Sequence, residues 1–104
     1  MPFITLPPNT FQALQYRIKE SEDEGAFVDL TVESDVPVKT YIVRPKGLEY
    51  FKQGSTTFKY YGGFPDPRMH QSQEIWLPFT GPFYVIISNP SQTKEAEIEY
   101  DVSF

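Results

Sequence analysis

Glu95-Ala96-Glu97-Ile98-Glu99-Tyr100-Asp101-Val102-Ser103-Phe104 alternates without error, with apolar side chains at every even position and polar ones at every odd position. Successive side chains of an extended backbone point to opposite faces. The stretch therefore reads as a strand with one buried and one wet face, as in an antiparallel sheet. The same period recurs upstream. Leu14, Tyr16 and Ile18 alternate with Gln15, Arg17 and Lys19, and Val28, Leu30 and Val32 alternate with Asp29, Thr31 and Glu33. Phe83-Tyr84-Val85-Ile86-Ile87 is apolar throughout and predicts a central strand covered on both sides.

Ten prolines and six glycines punctuate these runs. Glu22-Asp23-Glu24-Gly25 fits a hairpin between the second and third strands, and Asp35-Val36-Pro37 predicts a break after the third. Thr80-Gly81-Pro82 and Ser88-Asn89-Pro90-Ser91 bracket the apolar run. The pattern predicts about eight strands, over 3–6, 11–20, 26–34, 38–44, 55–61, 73–79, 82–88 and 94–103. Gly47 to Gln53 is the one helical turn, with Leu48 and Phe51 three apart to cap an open end of the core. Evenly spaced short strands without helical periodicity give an all-β fold, a single antiparallel β-sandwich or jelly roll over 1–104.

Charge suggests a strand order. Glu95, Glu97, Glu99 and Asp101 line one face about 6.8 Å apart, and each neighbouring pair costs about 0.6 kcal/mol in water. A neighbour presenting Arg17 and Lys19 would relieve this, so the expectation is strand 11–20 antiparallel beside 94–103.

Composition narrows function. The chain has 104 residues, no cysteine, nine Lys plus Arg against fourteen Asp plus Glu, and a formal charge of −5. The length suits one domain, and the acidic balance disfavours nucleic acid, whose phosphates need clustered cations. Zero cysteine removes thiol nucleophiles, thiolate metal sites and disulfides. Met1 to Tyr16 holds no Lys or Arg, and Pro2, Pro7 and Pro8 interrupt it, unlike a secretory leader. No run approaches the ~20 apolar residues of a membrane span. The expectation is a cytoplasmic protein without membrane insertion.

Several residue groups invite a chemical reading. Glu20, Glu22, Asp23 and Glu24 offer oxygen ligands but lack the spacing of a calcium loop, so a solvated tip is expected and no metal. His70, the only histidine, lies in Pro65-Asp66-Pro67-Arg68-Met69-His70-Gln71, which reads as a loop. Asp66, Arg68 and His70 are the one cluster from which a hydrolase could be built. No nucleophile elbow or phosphate loop accompanies them, and no cofactor is implied. Phe58-Lys59-Tyr60-Tyr61-Gly62-Gly63-Phe64 is the most distinctive segment. Its rings either form an exposed platform or close the core while the glycines bend the chain. Trp76, between Ile75 and Leu77, is expected in the core.

Two segments resemble known families. Gly81-Pro82-Phe83-Tyr84-Val85-Ile86-Ile87-Ser88-Asn89 resembles the glycine–aromatic–apolar–asparagine strand of Golgi-dynamics (GOLD) β-sandwich domains. It matches at Gly81, Phe83 and Asn89, with Ile86 where the eukaryotic domains commonly carry a cysteine. Val38 to Gly63, with Tyr41-Ile42-Val43, Leu48-Glu49-Tyr50-Phe51, Gly54 and Tyr60-Tyr61-Gly62-Gly63, is similar to a bacterial family of small uncharacterised sandwich proteins, sometimes found alongside TIR-type signalling domains. The two similarities cover about half the chain and imply a module for protein contacts, cargo recognition or self-association, with no catalytic residues to carry over.

The expected function is thus a non-catalytic module binding a protein partner or a second copy of itself, through an exposed edge or the aromatic 58–70 loop end. The residues expected to carry it are Tyr60, Tyr61, Phe64, Arg68 and His70, with Tyr50 and Phe51 nearby. The alternatives are a small-ligand or carbohydrate binder using the same rings, a hydrolase centred on His70, and a structural part of a larger assembly.

Overall fold

Eighteen consecutive residues, Ala26–Val43, form one strand (β3) that organises the whole architecture. A computed structural model describes residues 2–20, 24–55 and 57–104. Along β3 the buried positions never slip phase: Val28, Leu30, Val32, Ser34, Val36, Val38, Thr40 and Ile42 all face inward. A straight strand of this length would reach roughly 60 Å, whereas the longest dimension of the protein is 44 Å. β3 bends, and it bends at the segment expected to end it. Its register against β4 (Arg68–Leu77) shifts between Glu33 and Val38. Pairing with β6 (Ala96–Ser103) stops at Ser34, and pairing with β5 (Gly81–Ser88) starts at Lys39. Pro37 therefore falls where β3 exchanges partners, a place that tolerates a missing N–H. The expected strands 26–34 and 38–44 are one strand with a corner in it.

β1 (Phe3–Leu6) and β2 (Phe11–Ile18) complete a curled, antiparallel six-stranded sheet of order β1-β6-β3-β5-β2, with β4 pairing the first half of β3. No strand forms over the described residues of the expected 55–61, and with 26–34 and 38–44 merged into one, about eight expected strands become six among the described residues. Residues 61–64 instead lie against β3 through a few bonds, Tyr61 N–H to Ile42 O (2.8 Å), Ile42 N–H to Gly62 O (2.9 Å) and Thr40 N–H to Phe64 O (3.0 Å). Strand β4 begins at Arg68, so the stretch 68–71 expected as loop is extended sheet.

The expected neighbours 11–20 and 94–103 are not neighbours. β2 pairs with β5, and β6 lies between β1 and β3. Charge relief of a fraction of a kcal/mol per pair is small beside the ~1.5–3 kcal/mol gained by each large apolar side chain that the observed order buries. β2 and β3 do not pair with each other, so they are not the two arms of the expected hairpin. Residues 21–23 lie outside the described residues, and with them Glu22 and Asp23, two of the four acids of the cluster.

Leu30, Val32, Ile42, Leu77, Phe83, Val85 and Ile98 fill the main core between the two halves. Helix α1 (Pro45–Lys52) covers the opposite face of the β2-β5-β3 half. There Val43, Leu48 and Ile86 make a second, smaller core with Ala13, Tyr41, Phe51, Phe58 and Tyr84. The helical turn thus packs on the outside of the sheet and does not cap an open end of the main core. Strand β5 is covered on both sides, as its unbroken apolar run requires: Phe83, Val85 and Ile87 face one core and Ile86 the other.

Trp76 is a correction. Ile75 and Leu77 are buried, and strict alternation places Trp76 on the opposite face, 45% exposed. No helix among the described residues is long and apolar enough to cross a membrane.

Candidate interaction surface

The seven residues singled out from sequence occupy four places. Phe51 and Tyr60 surround Tyr41, with ring centroids 5.7 and 5.5 Å away, and Phe58 (5.2 Å) completes the set. Tyr50 stands exposed on α1 with the Lys46 ammonium 6.0 Å from its ring. Tyr61 turns the other way and packs edge-on against Phe79 at 5.0 Å beside the main core. Phe64 is half-buried under the Arg68 guanidinium, 4.8 Å from the ring centroid. His70 sits on the outer face of β4, with Nδ1 3.9 Å from Glu33 Oε1. The structure brings Tyr50, Phe51 and Tyr60 to one side and leaves the other four elsewhere.

The glycine pair explains why the aromatic segment folds this way. A Cβ on Gly62 would lie 2.8 Å from Ile75 Cδ1, and one on Gly63 would lie 2.4 Å from the Thr40 carbonyl oxygen. Gly63 also has φ +105°, and its N–H donates to Gln73 Oε1 at 2.9 Å. Phe64 N–H donates to Thr40 Oγ1 (3.0 Å), whose own hydroxyl donates to the buried Gln71. This clamp holds residues 61–64 between β3 and β4 and turns Phe58 and Tyr61 into opposite cores.

Burial raises the Tyr41 phenol above its ordinary value, and Tyr60 and Asp66 push the same way. Burial also raises Tyr16, with Tyr100 and Asp101 adding to it. An acid whose folded value is raised holds its proton when the unfolded chain has lost it. Stability is therefore full below the ordinary value of 10.0 and falls as pH rises through the raised values. Urea midpoints are expected to drop between about pH 9 and about pH 11, and Tyr41→Phe should flatten that drop while leaving the neutral-pH midpoint nearly unchanged.

The His70 and Glu33 side chains are 79% and 56% exposed, and their 3.9 Å separation exceeds hydrogen-bond reach. Among the described residues no group of three or more histidine or acidic side chains is placed to hold a metal.

Two features were missed in the sequence. The first is the outer face of the β1-β6-β3-β4 half. Register sets Phe3, Glu99, Glu33 and His70 in one row across it, Asp101, Thr31 and Ser72 in the next, then Ser103, Asp29 and Glu74, and finally Phe27 beside Trp76. Phe27 and Trp76 are directly opposite, 5.0 Å apart, with Phe27 59% exposed. The signal was present: Trp76 stands between two core residues, and Phe27 immediately precedes the core residue Val28.

The second feature is backbone. β4 pairs with β3 on one side only, and on its free side no hydrogen bond to another segment engages the backbone of residues 69–77 among the described residues. This ten-residue strand contains neither proline nor lysine, the residues that commonly blunt an edge. Its outward row runs Arg68, His70, Ser72, Glu74 and Trp76. A free edge of this length, with an exposed aromatic pair at one end, can accept a further strand by main-chain hydrogen bonding. No protein-family model matches the chain, and no curated protein matches it in sequence.

Proposed function

We propose that the chain is a non-catalytic interaction module that accepts an extended polypeptide along β4, with Phe27 and Trp76 as the side-chain anchors. The observation that carries this is the unpaired ten-residue edge of β4. Main-chain bonds along such an edge supply affinity, and buried aromatics beside it supply most of the rest. Of the two routes expected from sequence this reading takes the exposed edge, on which Arg68 and His70 lie, whereas the Phe58 and Tyr61 rings are engaged in the two cores. In this reading the curled sheet is a small GOLD-like β-sandwich working in the cytoplasm. Gly81 opening β5 at φ +93°, Phe83 in the core and the buried Asn89 closing the strand support that likeness.

Affinity capture from the native host tests the reading. Phe27→Ser/Trp76→Ser is expected to weaken retention of the bound polypeptide by ~30-fold or more, the cost of losing an aromatic anchor. Tyr50→Ser/Tyr60→Ser, folded to the same degree by circular dichroism, should retain it. Equal retention by both variants would remove the reading's support.

One observation favours a small-ligand reading. A hollow of about 680 Å³ is lined by Arg17, Lys19, Phe27, Trp76 and Phe104, with Glu24 the one acid against its two cations. Trp76 is the only tryptophan, so an anionic aromatic ligand held there would change its fluorescence without any change in sedimentation.

A further inference from the structure

We infer that the strand accepted by β4 is β4 of a second copy of this chain, paired antiparallel about a two-fold axis through Ser72; this rests on the edge reading above and names its partner. Two copies related by a two-fold perpendicular to the sheet must place outward residues opposite outward residues. The register that uses nearly the whole of Arg68–Leu77 sets Arg68 opposite Trp76 of the other copy, His70 opposite Glu74 and Ser72 opposite Ser72. On the inward side it sets Met69 opposite Ile75 and Gln71 opposite Gln73. The outward pairs are complementary, cation on indole, imidazole on carboxylate and hydroxyl on hydroxyl, with no like charges opposed, while inward Gln71, Gln73 and Ile75 stay engaged within their own chain. Sliding by two residues one way leaves Trp76 off the partner strand, and sliding the other way leaves Arg68 off it.

The remaining edges are less suited. β1 has four residues. β2 carries Arg17 and no acid to meet it, and its exposed Phe11 is already engaged edge-on by Phe51 at 4.8 Å. An edge-only interface is small, so the dimer is expected in the micromolar range or weaker.

The absence of cysteine makes a clean test possible in the full chain. Directly opposed residues of an antiparallel pair sit at disulfide-compatible spacing. Ser72→Cys is therefore expected to form disulfide dimers at least ~tenfold faster than Gln15→Cys on the β2 edge, because pairing raises the effective thiol concentration. A mixture of His70→Cys and Glu74→Cys should cross-link with each other faster than either does alone. Sedimentation of the unmodified chain should show a concentration-dependent dimer.

Cross-linking of Ser72→Cys no faster than that of Gln15→Cys, or a strict monomer at every concentration, overturns the second-copy assignment. If Phe27→Ser/Trp76→Ser nevertheless loses a captured foreign polypeptide, the edge reading stands with a different occupant. If that variant captures as well as the parent, the edge reading falls on its own account.

Discussion

Gly63→Ala is expected to destabilise the protein by roughly 3 kcal/mol, the sum of backbone strain and a steric conflict that nothing nearby can relieve. At φ +105° a residue with a Cβ is strained wherever it sits. Here the added carbon also lies 2.4 Å from the Thr40 carbonyl oxygen and 2.9 Å from Tyr41 Cα, both in the backbone of β3. Either β3 shifts or residues 61–64 lift away, and lifting breaks the bond from Gly63 N–H to Gln73 and the Ile42–Gly62 pairing. Gly54→Ala separates the two contributions. Gly54 also has positive φ, +78°, but beyond its chain neighbours no atom among the described residues lies within 4 Å of its Cβ position, so its replacement should cost only about 1 kcal/mol. Urea unfolding measures both. A midpoint for Gly63→Ala no lower than that for Gly54→Ala would refute the clamp. Since a typical domain holds only ~5–15 kcal/mol, the Gly63 variant should lose a substantial share of its stability.

Asn89→Ala is expected to cost about 2–3 kcal/mol and to free the β1 end of the sheet. Asn89 is 1% exposed and every polar atom of its side chain is used. Nδ2 donates to Lys94 O (2.8 Å), Leu6 O (3.1 Å) and Pro7 O (3.3 Å), and Oδ1 accepts from Ser91 N–H (3.1 Å). One side chain thus fastens the end of β1 to the connection between β5 and β6. Truncation takes this donor from the buried Leu6 carbonyl oxygen, where water has little access, the expensive way to lose a hydrogen bond. Asn89→Asp should be worse at neutral pH, because a carboxylate would face three carbonyl oxygens with no proton to offer. Native-state hydrogen exchange should show early opening at the β1–β6 pairing while β3–β5 stays protected. Uniform opening of both would mean that Asn89 is not a local tie.

Much of this was legible before the fold was known. The phase of each run is a local property, since an extended backbone sends neighbouring side chains to opposite sides whatever lies beyond them. Val28 through Ile42 keep that phase past Pro37, so the continuity of β3 was readable, and the turn-forming residues at 35–37 concealed it. The exposure of Trp76 was equally readable from its two buried neighbours. The candidate site was less accessible. An edge exists only where no strand has docked, which is a statement about the rest of the chain.

What the amino-acid order by itself determined is which residues share a face: Ala96 and Ile98 inward and Glu97 and Asp101 outward on β6, with β5 apolar on both sides. Which faces and edges meet was decided by the folded whole. Glu33 stands across from Glu99, β2 lies beside β5, α1 covers the outside of the sheet, and β4 keeps one side unpaired. Periodicity follows from the geometry of one strand, whereas neighbour choice follows from the largest total burial among competing arrangements. Charge terms of a fraction of a kcal/mol do not outvote that total.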